Sequence, residues 1–309
     1  MGDEVAERLV DPLRGGVYAG RADGLSVRAT MPALAARLRA GGSLTEAARA
    51  VTDAGARARG DAVFTSLRGG LGRLPLVLAA AQRFQVRTRV TVRELHRTPT
   101  GFVLDCGPVP GAEAVEADAV IVAVPAGKAA RLLRDVAPGA AAELAGVETA
   151  SVAIVSFAFA GATLPPGSGL LVASGERLAT KAVTISSQKW PLDTGALTVL
   201  RASVGRAGER AALQLADDEL VALVRRELGR LLGIDVAPVD VQVTRWGGGL
   251  PQYAVGHTER IARVRASLGE APGLAGCGAG YDGVGIPACI ASARAAVDQI
   301  VASLAARGQ

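Results

Sequence analysis

The stretch Gly273-Leu-Ala-Gly-Cys-Gly-Ala-Gly-Tyr-Asp-Gly-Val-Gly-Ile-Pro-Ala-Cys289 governs how the rest of the chain is read. Its start, Gly273 to Cys277, reads as a short strand, the glycines as a tight turn, and Gly285 to about Ala306 as a helix. Glycine allows close backbone approach, and a helix start offers free N–H groups and a positive dipole end. Such a terminus suits a phosphate or a reduced flavin ring. The spacing is not the dinucleotide fingerprint, because no GxGxxG follows a first strand and no acidic residue closes a second one. A glycine-rich connection serving packing alone would look the same.

Working outward, 309 residues of which 50% are apolar can bury a sizeable core and fill two domains. The longest apolar runs, Ala119 to Val124 and Val152 to Ala160, fall short of a bilayer span, so no transmembrane helix is expected. Met1 to Leu9 lacks the pattern of a secretory signal, and a cytoplasmic chain is the default. Cys106, Cys277 and Cys289 are far apart and read as core thiols, not as a metal or disulfide framework. The net charge of +5 rests on scattered Arg, with Lys only at Lys128, Lys181 and Lys189, a bias of high-GC genomes. With aromatics at 3% and no basic face, a nucleic-acid partner is not expected, while a basic pocket for an acidic small molecule stays open.

Asp3 to Leu9 reads as a helix already in progress, with no cap or strand before it. Helices follow over Met31 to Ala40, Ser43 to Arg57 with Ser43 and Glu46 as a capping box, and Leu71 to Gln82. The period then switches to strand at Gln85 to Thr88, Thr91 to His96, Phe102 to Cys106 and the apolar run Ala119 to Pro125. Helices over Gly127 to Leu133 and Pro138 to Leu144 precede strands at Ser151 to Ala160, Thr180 to Ser187, Leu197 to Val204 and Val239 to Trp246. A strongly patterned helix, Asp217 to Leu232, stops at Gly233, and Gly247-Gly248-Gly249 reads as an exposed turn.

Taken together, GCGAGYDGVGIPACIASARAA resembles the C-terminal flavin-binding segment of protoporphyrinogen and coproporphyrinogen oxidases, within the flavin amine-oxidase superfamily. DPLRGGVYAG, FTSLRGGLGRLP, SSQKWP, LRASVGRAG and TRWGGGLPQYAVGH agree in the same order, so the resemblance spans nearly the whole chain. It implies an α/β (α+β) fold: a Rossmann-like FAD-binding domain interleaved with a helical and mixed-sheet substrate domain. The implied division is residues 1–83 as the helical part, 84–125 as an FAD-binding segment, 126–270 as the mixed sheet and 271–309 as the closing FAD-binding segment. Relatives begin with a βαβ unit carrying GxGxxG, which no stretch of these residues supplies. The sequence is therefore expected to start at an internal Met.

By resemblance, Val284, Gly285 and Ile286 touch the flavin, Gly283 shapes the turn, and Val92 holds the adenine through its backbone. The resemblance implies oxidation of a porphyrinogen, with FAD as the cofactor and oxygen as the acceptor. Coproporphyrinogen is favoured over protoporphyrinogen, since the composition suggests a high-GC Gram-positive source. No side-chain nucleophile or metal is expected, because the cofactor carries the redox chemistry. A flat ring bearing carboxylates calls for an aliphatic pocket with a few cations at its rim. Leu250, Ser203, Arg68 and Lys189 are the candidates, Ser203 standing where some relatives have a tyrosine. His96 reads as a surface residue, and His257 as a capping or packing residue more than a catalytic one. Peripheral membrane contact, a homodimer, another flavin oxidase activity, and a catalytically impaired porphyrin-binding chain all stay open.

Overall fold

The structure, a computed structural model, describes residues 2–57, 65–81, 83–190, 192 and 194–307. The chain opens with helical segments that run without a break from Asp3 to Tyr18, through a π turn at Ala6–Val10. Short helices follow at Val27–Thr30 and Pro32–Arg39, then a longer one at Leu44–Arg57. The capping box read from the sequence forms: Ser43 N donates to Glu46 Oε2 at 2.8 Å and Glu46 N to Ser43 Oγ at 3.2 Å. Helix Arg73–Ala80 buries none of its residues.

Strands β1 (Val92–Arg97), β2 (Phe102–Cys106) and β3 (Glu113–Ala117) form an antiparallel sheet. Gln85 to Thr88 is not a strand; the backbone reverses through a left-handed Arg89, and pairing starts at Val92. β4 (Val120–Val122) is shorter than its apolar run suggested because, among the described residues, it pairs only with the equally short β10 (Leu274–Gly276), in parallel. Onto these strands pack helices Ala126–Leu132, Pro138–Ala145 and His257–Gly269. Leu133, Leu144, Val264 and Leu268 interlock there with Phe102, Val122 and Leu274. The sequence reading did not isolate β3, and it placed His257 near the top of a helix without giving that helix bounds.

The second core belongs to an antiparallel sheet of β5 (Thr149–Ala160), β6 (Gly169–Leu171), β7 (Thr180–Ile185), β8 (Leu197–Val204) and β9 (Pro238–Pro251), in the order β6-β7-β8-β5-β9. Side chains alternate across a strand, so one face carries Ala153, Val155, Phe157, Leu200, Ala202 and Val183. Helix Asp217–Leu232 covers that face with Leu220, Val224 and Leu228. Gly247 to Gly249 does not end β9 as a turn. It is a bulge set against Ser151, with Gly248 at φ 60° and its N–H on Ser151 Oγ at 2.9 Å.

One buried carboxylate ties this helix to the sheet: Glu227 accepts from Ala179 N at 2.9 Å and Thr180 N at 2.8 Å. Glu227→Ala leaves two N–H groups without an acceptor, and should cost about 3 kcal/mol in urea unfolding. Glu227→Gln, which keeps one acceptor oxygen, should cost less.

The opposite face is half open. Ile154, Ser156, Ala158, Ser203, Thr184 and Thr244 are half-buried there. The opening helix stands over its β6 corner, where Gly16 lies beside Leu171. Three bonds hold it: Lys181 Nζ to Gly16 O, Ala207 N to Ala19 O, and Gln252 Nε2 to Tyr18 O.

Candidate cofactor turn and substrate face

β4 and β10 run parallel and end together, Cys277 N donating to Val122 O at 3.2 Å. The chain then turns through residues 278–285 into helix Ile286–Arg307. Gly278 N donates to Ser292 Oγ at 3.2 Å, so the turn is bonded to the helix it precedes. Cys289 N is the first helix amide with an acceptor in the chain, Gly285 O at 3.0 Å. Pro287 removes one of the amides before it, and the others face outward from the helix end.

Two glycines of the turn differ in their reasons. A Cβ on Gly283 would lie 2.6 Å from Ala288 Cβ, so the chain's own packing demands glycine. A Cβ on Gly285 would meet nothing closer than Pro287 Cδ at 3.8 Å. The space in front of Gly285 is thus left free, at the positive end of a 22-residue helix. Free space and a positive helix end at this turn fit a flavin ring.

The turn is fastened from below by the link that follows β9 and by the helix after it. Tyr253 Oη donates to Ala279 O at 2.7 Å, and its ring stacks on His257 at 4.1 Å and 14°. His257 Nε2 lies 2.9 Å from Tyr281 O, with the ring wholly inside the protein. Arg265 pairs with Asp282 through its two terminal guanidinium nitrogens. Val284 packs on Tyr18, Leu25 and Tyr253, bringing the opening helix against the turn. Burial raises the Tyr253 hydroxyl and pushes Tyr281 up to about 12, so both stay protonated near neutrality.

Burial holds His257 below its ordinary value of 6.5, against the partial compensation of the Tyr281 carbonyl. The unfolded chain therefore takes up a proton near pH 6.5 that the folded chain refuses. Stability should fall as pH drops through that value and level off once the folded form also protonates. Urea midpoints of the unsubstituted chain and His257→Gln, measured between about pH 8 and 5, should converge toward the acid end. Parallel curves would refute it.

Of the residues singled out from the sequence, Gly283, Val284, Gly285 and Ile286 form the end of this turn. Val92 begins β1, half-buried and paired with Cys106. Leu250 lies near the end of β9 against Ala19 and Val152. Ser203 stands on the open sheet face between Ala182 and Ile154. Lys189 is exposed at the end of helix Ser186–Lys189, its Nζ 5.5 Å from the centre of the Trp190 ring. Arg68 is exposed in a turn, its carbonyl accepting from Arg73 Nη1 at 3.0 Å. Ser203 and Leu250 thus share one sheet, whereas Arg68 and Lys189 sit on separate exposed segments. His257 is a packing residue bonded to the turn, and Tyr253 was not singled out at all. The aromatic-then-histidine spacing of four in YAVGH was the available signal for that pair.

Helix Ile286–Arg307 is long and apolar enough to cross a membrane by length and composition, with hydropathy 1.3. The reading from apolar runs missed this because Arg294 and Asp298 interrupt them. In the fold it lies along β10: Ser292, Ala296 and Ile300 are buried, and Arg307 bonds the carbonyls of Asp118 and Pro272.

A parallel strand pair ending in a glycine turn at a helix start, together with a separate half-open antiparallel sheet, makes this a mixed α/β protein. Residues 1–301 match the family described as flavin containing amine oxidoreductase, and the chain belongs to that family. It is 41% identical over 309 residues to a coproporphyrinogen III oxidase of Mycobacterium leprae, covering 99% of this chain and 66% of that protein. Its identity to the coproporphyrinogen III oxidase of Bacillus subtilis is 31%, covering 98% and 66%. A crystal structure from Exiguobacterium sp. 255-15, provisionally assigned as a protoporphyrinogen oxidase, superposes with TM-score 0.82 at 34% identity, over 97% of this chain and 64% of that one. The chain thus spans just under two thirds of these relatives' length.

Proposed function

We propose that this chain serves the FAD-dependent oxidation of a porphyrinogen to its porphyrin in haem biosynthesis, in the cytoplasm. Coproporphyrinogen III is the first choice of substrate and protoporphyrinogen IX the second. The observation that carries the reading is the 41% identity to the Mycobacterium leprae coproporphyrinogen III oxidase across 99% of the chain. The half-open sheet next to the glycine turn supports it physically, since a flat ring bearing carboxylates needs a broad face of small, aliphatic and polar side chains.

In this reading Val284, Gly285 and Ile286 meet the flavin ring, Gly283 sets the turn, and the Val92 backbone holds the adenine. Leu250 and Ser203 face the macrocycle, with Arg68 and Lys189 as rim cations. Held by these residues, FAD would supply two-electron acceptor chemistry for the three oxidations of the macrocycle, with oxygen as the final acceptor. The chain's part is to exclude water and hold the ring against the turn. Residues 84–125 and 271–309 would supply the cofactor side, residues 1–83 and 126–270 the substrate side.

The test is to supply FAD, isolate the chain by gel filtration, and feed it reduced coproporphyrinogen III in air. Co-eluting flavin, porphyrin fluorescence rising above the spontaneous rate and peroxide released with it are expected. Porphyrin appearing no faster than in buffer would refute the activity for this chain.

A further inference from the structure

The strand register of the five-stranded sheet brings one arginine to the middle of its open face. Arg201, on β8, lies opposite Thr184 of β7 and Ser156 of β5, and Ser156 lies opposite Gln242 of β9. The neighbouring row is Ala182, Ser203, Ile154 and Thr244. Alternate residues of a strand share a face, so Arg201 and Ser203 point the same way, opposite to the core under helix Asp217–Leu232.

Arginines nearby have structural duties. Arg206 is buried and donates to the carbonyls of Leu178 and Val172, and Arg245 pairs with Asp217 at 2.6 Å. Arg201 is exposed and, among the described residues, has neither an ion pair nor a hydrogen-bonding partner. A lone cation at the centre of a sheet gains nothing from its neighbours, because Thr184, Ser156 and Gln242 carry no charge. Its surroundings suit a ligand that is apolar and flat with an acidic arm. Ile154, Ala182 and Ala158 offer aliphatic contact, and Trp246 stands 56% exposed toward the edge.

We propose that Arg201 is a specificity-determining residue that takes a side-chain carboxylate of the macrocycle, the ring lying across the row of Ser203 and Ile154. This rests on the porphyrinogen reading above. A guanidinium offers two parallel N–H donors to one carboxylate, which fixes the ring's orientation as well as holding it.

Coproporphyrin III and its tetramethyl ester, titrated into the full chain in one detergent-containing buffer, separate the carboxylate contact from ring binding. Quenching of Trp190 and Trp246 fluorescence and the shift of the porphyrin band report binding. Arg201→Gln should weaken the acid at least about tenfold and leave the ester unchanged. Arg201→Lys should retain part of the affinity, and Arg225→Gln, on the helix behind the sheet, all of it. If the Gln variant fails to fold, the Lys variant's partial loss, seen with the acid alone, carries the same reading. Unchanged acid affinity, or an equal loss for acid and ester, overturns the assignment while leaving the porphyrinogen reading in place. Failure of the unsubstituted chain to bind either porphyrin overturns both.

Discussion

Tyr253→Ala should lower the stability of the chain by about 4 kcal/mol, the usual scale for deleting a buried aromatic side chain. Tyr253 is 0% exposed, is the largest fully buried side chain, and has Tyr18 at 5.3 Å on one side and His257 at 4.1 Å on the other. Its loss opens a cavity at the junction of the opening helix, β9 and the glycine turn, where no single element can shift to fill it. Tyr253→Phe keeps the ring and removes the hydroxyl that donates to Ala279 O and meets the Gly283 backbone, so it should cost about 1 kcal/mol. The pair is informative because the two effects fall in different places. In urea unfolding the Ala variant should lose most of the midpoint, while the Phe variant stays close to the unsubstituted chain. In hydrogen exchange the Phe variant should lose protection around residues 278–281 more than in the sheet. Equal midpoints for the Ala and Phe variants would mean that packing at this junction contributes little.

The same junction shows what a linear reading can and cannot reach. Helix Asp217–Leu232 and its left-handed stop at Gly233 were legible residue for residue, because a 3.6-residue apolar period, an acidic first turn and a terminal glycine are all local signals. β8 was legible for the same reason, since the alternation in Leu200-Arg-Ala-Ser-Val204 needs no partner to be seen. β3 was not legible, because Glu113-Ala-Val-Glu-Ala117 is an edge strand with little burial, and its pairing with β2 supplies what its composition lacks. β4 was overread, because apolar residues continue past the point where the short β10 stops pairing. The bulge at Gly248 looked like a turn for the converse reason: glycines mark a break in regular backbone but not whether the partner strand continues beyond it.

Residues 283–286, proposed to meet the flavin, were singled out from motif and resemblance, and they do form the end of the glycine turn. Tyr253 and His257 hold the turn's backbone through contacts 24 to 26 residues away in sequence; the spacing in YAVGH marks them as a pair but not what they hold. Arg201 is a middle case. Its alternation with Ser203 was visible in LRASVG, but its lack of a partner is a property of the assembled sheet.

Gly283→Ala and Gly285→Ala should separate folding from cofactor binding within three residues. The methyl group at position 283 would sit 2.6 Å from Ala288 Cβ, a distance no packed pair tolerates, so the first helical turn must move away. A loss of about 2 kcal/mol in urea unfolding is expected, with flavin retention falling as a consequence of the displaced turn. At position 285 the methyl has room, and the exchange at a helix entry should change stability by no more than about 1 kcal/mol. That methyl would stand in the space before the helix end, where the flavin ring is proposed to lie. Gly285→Ala should therefore fold like the unsubstituted chain and yet hold flavin at least about tenfold more weakly, as judged by equilibrium dialysis. Full flavin affinity in a well-folded Gly285→Ala chain would mean that the ring approaches the helix from elsewhere, and the contact would then pass to Val284 and Ile286 alone.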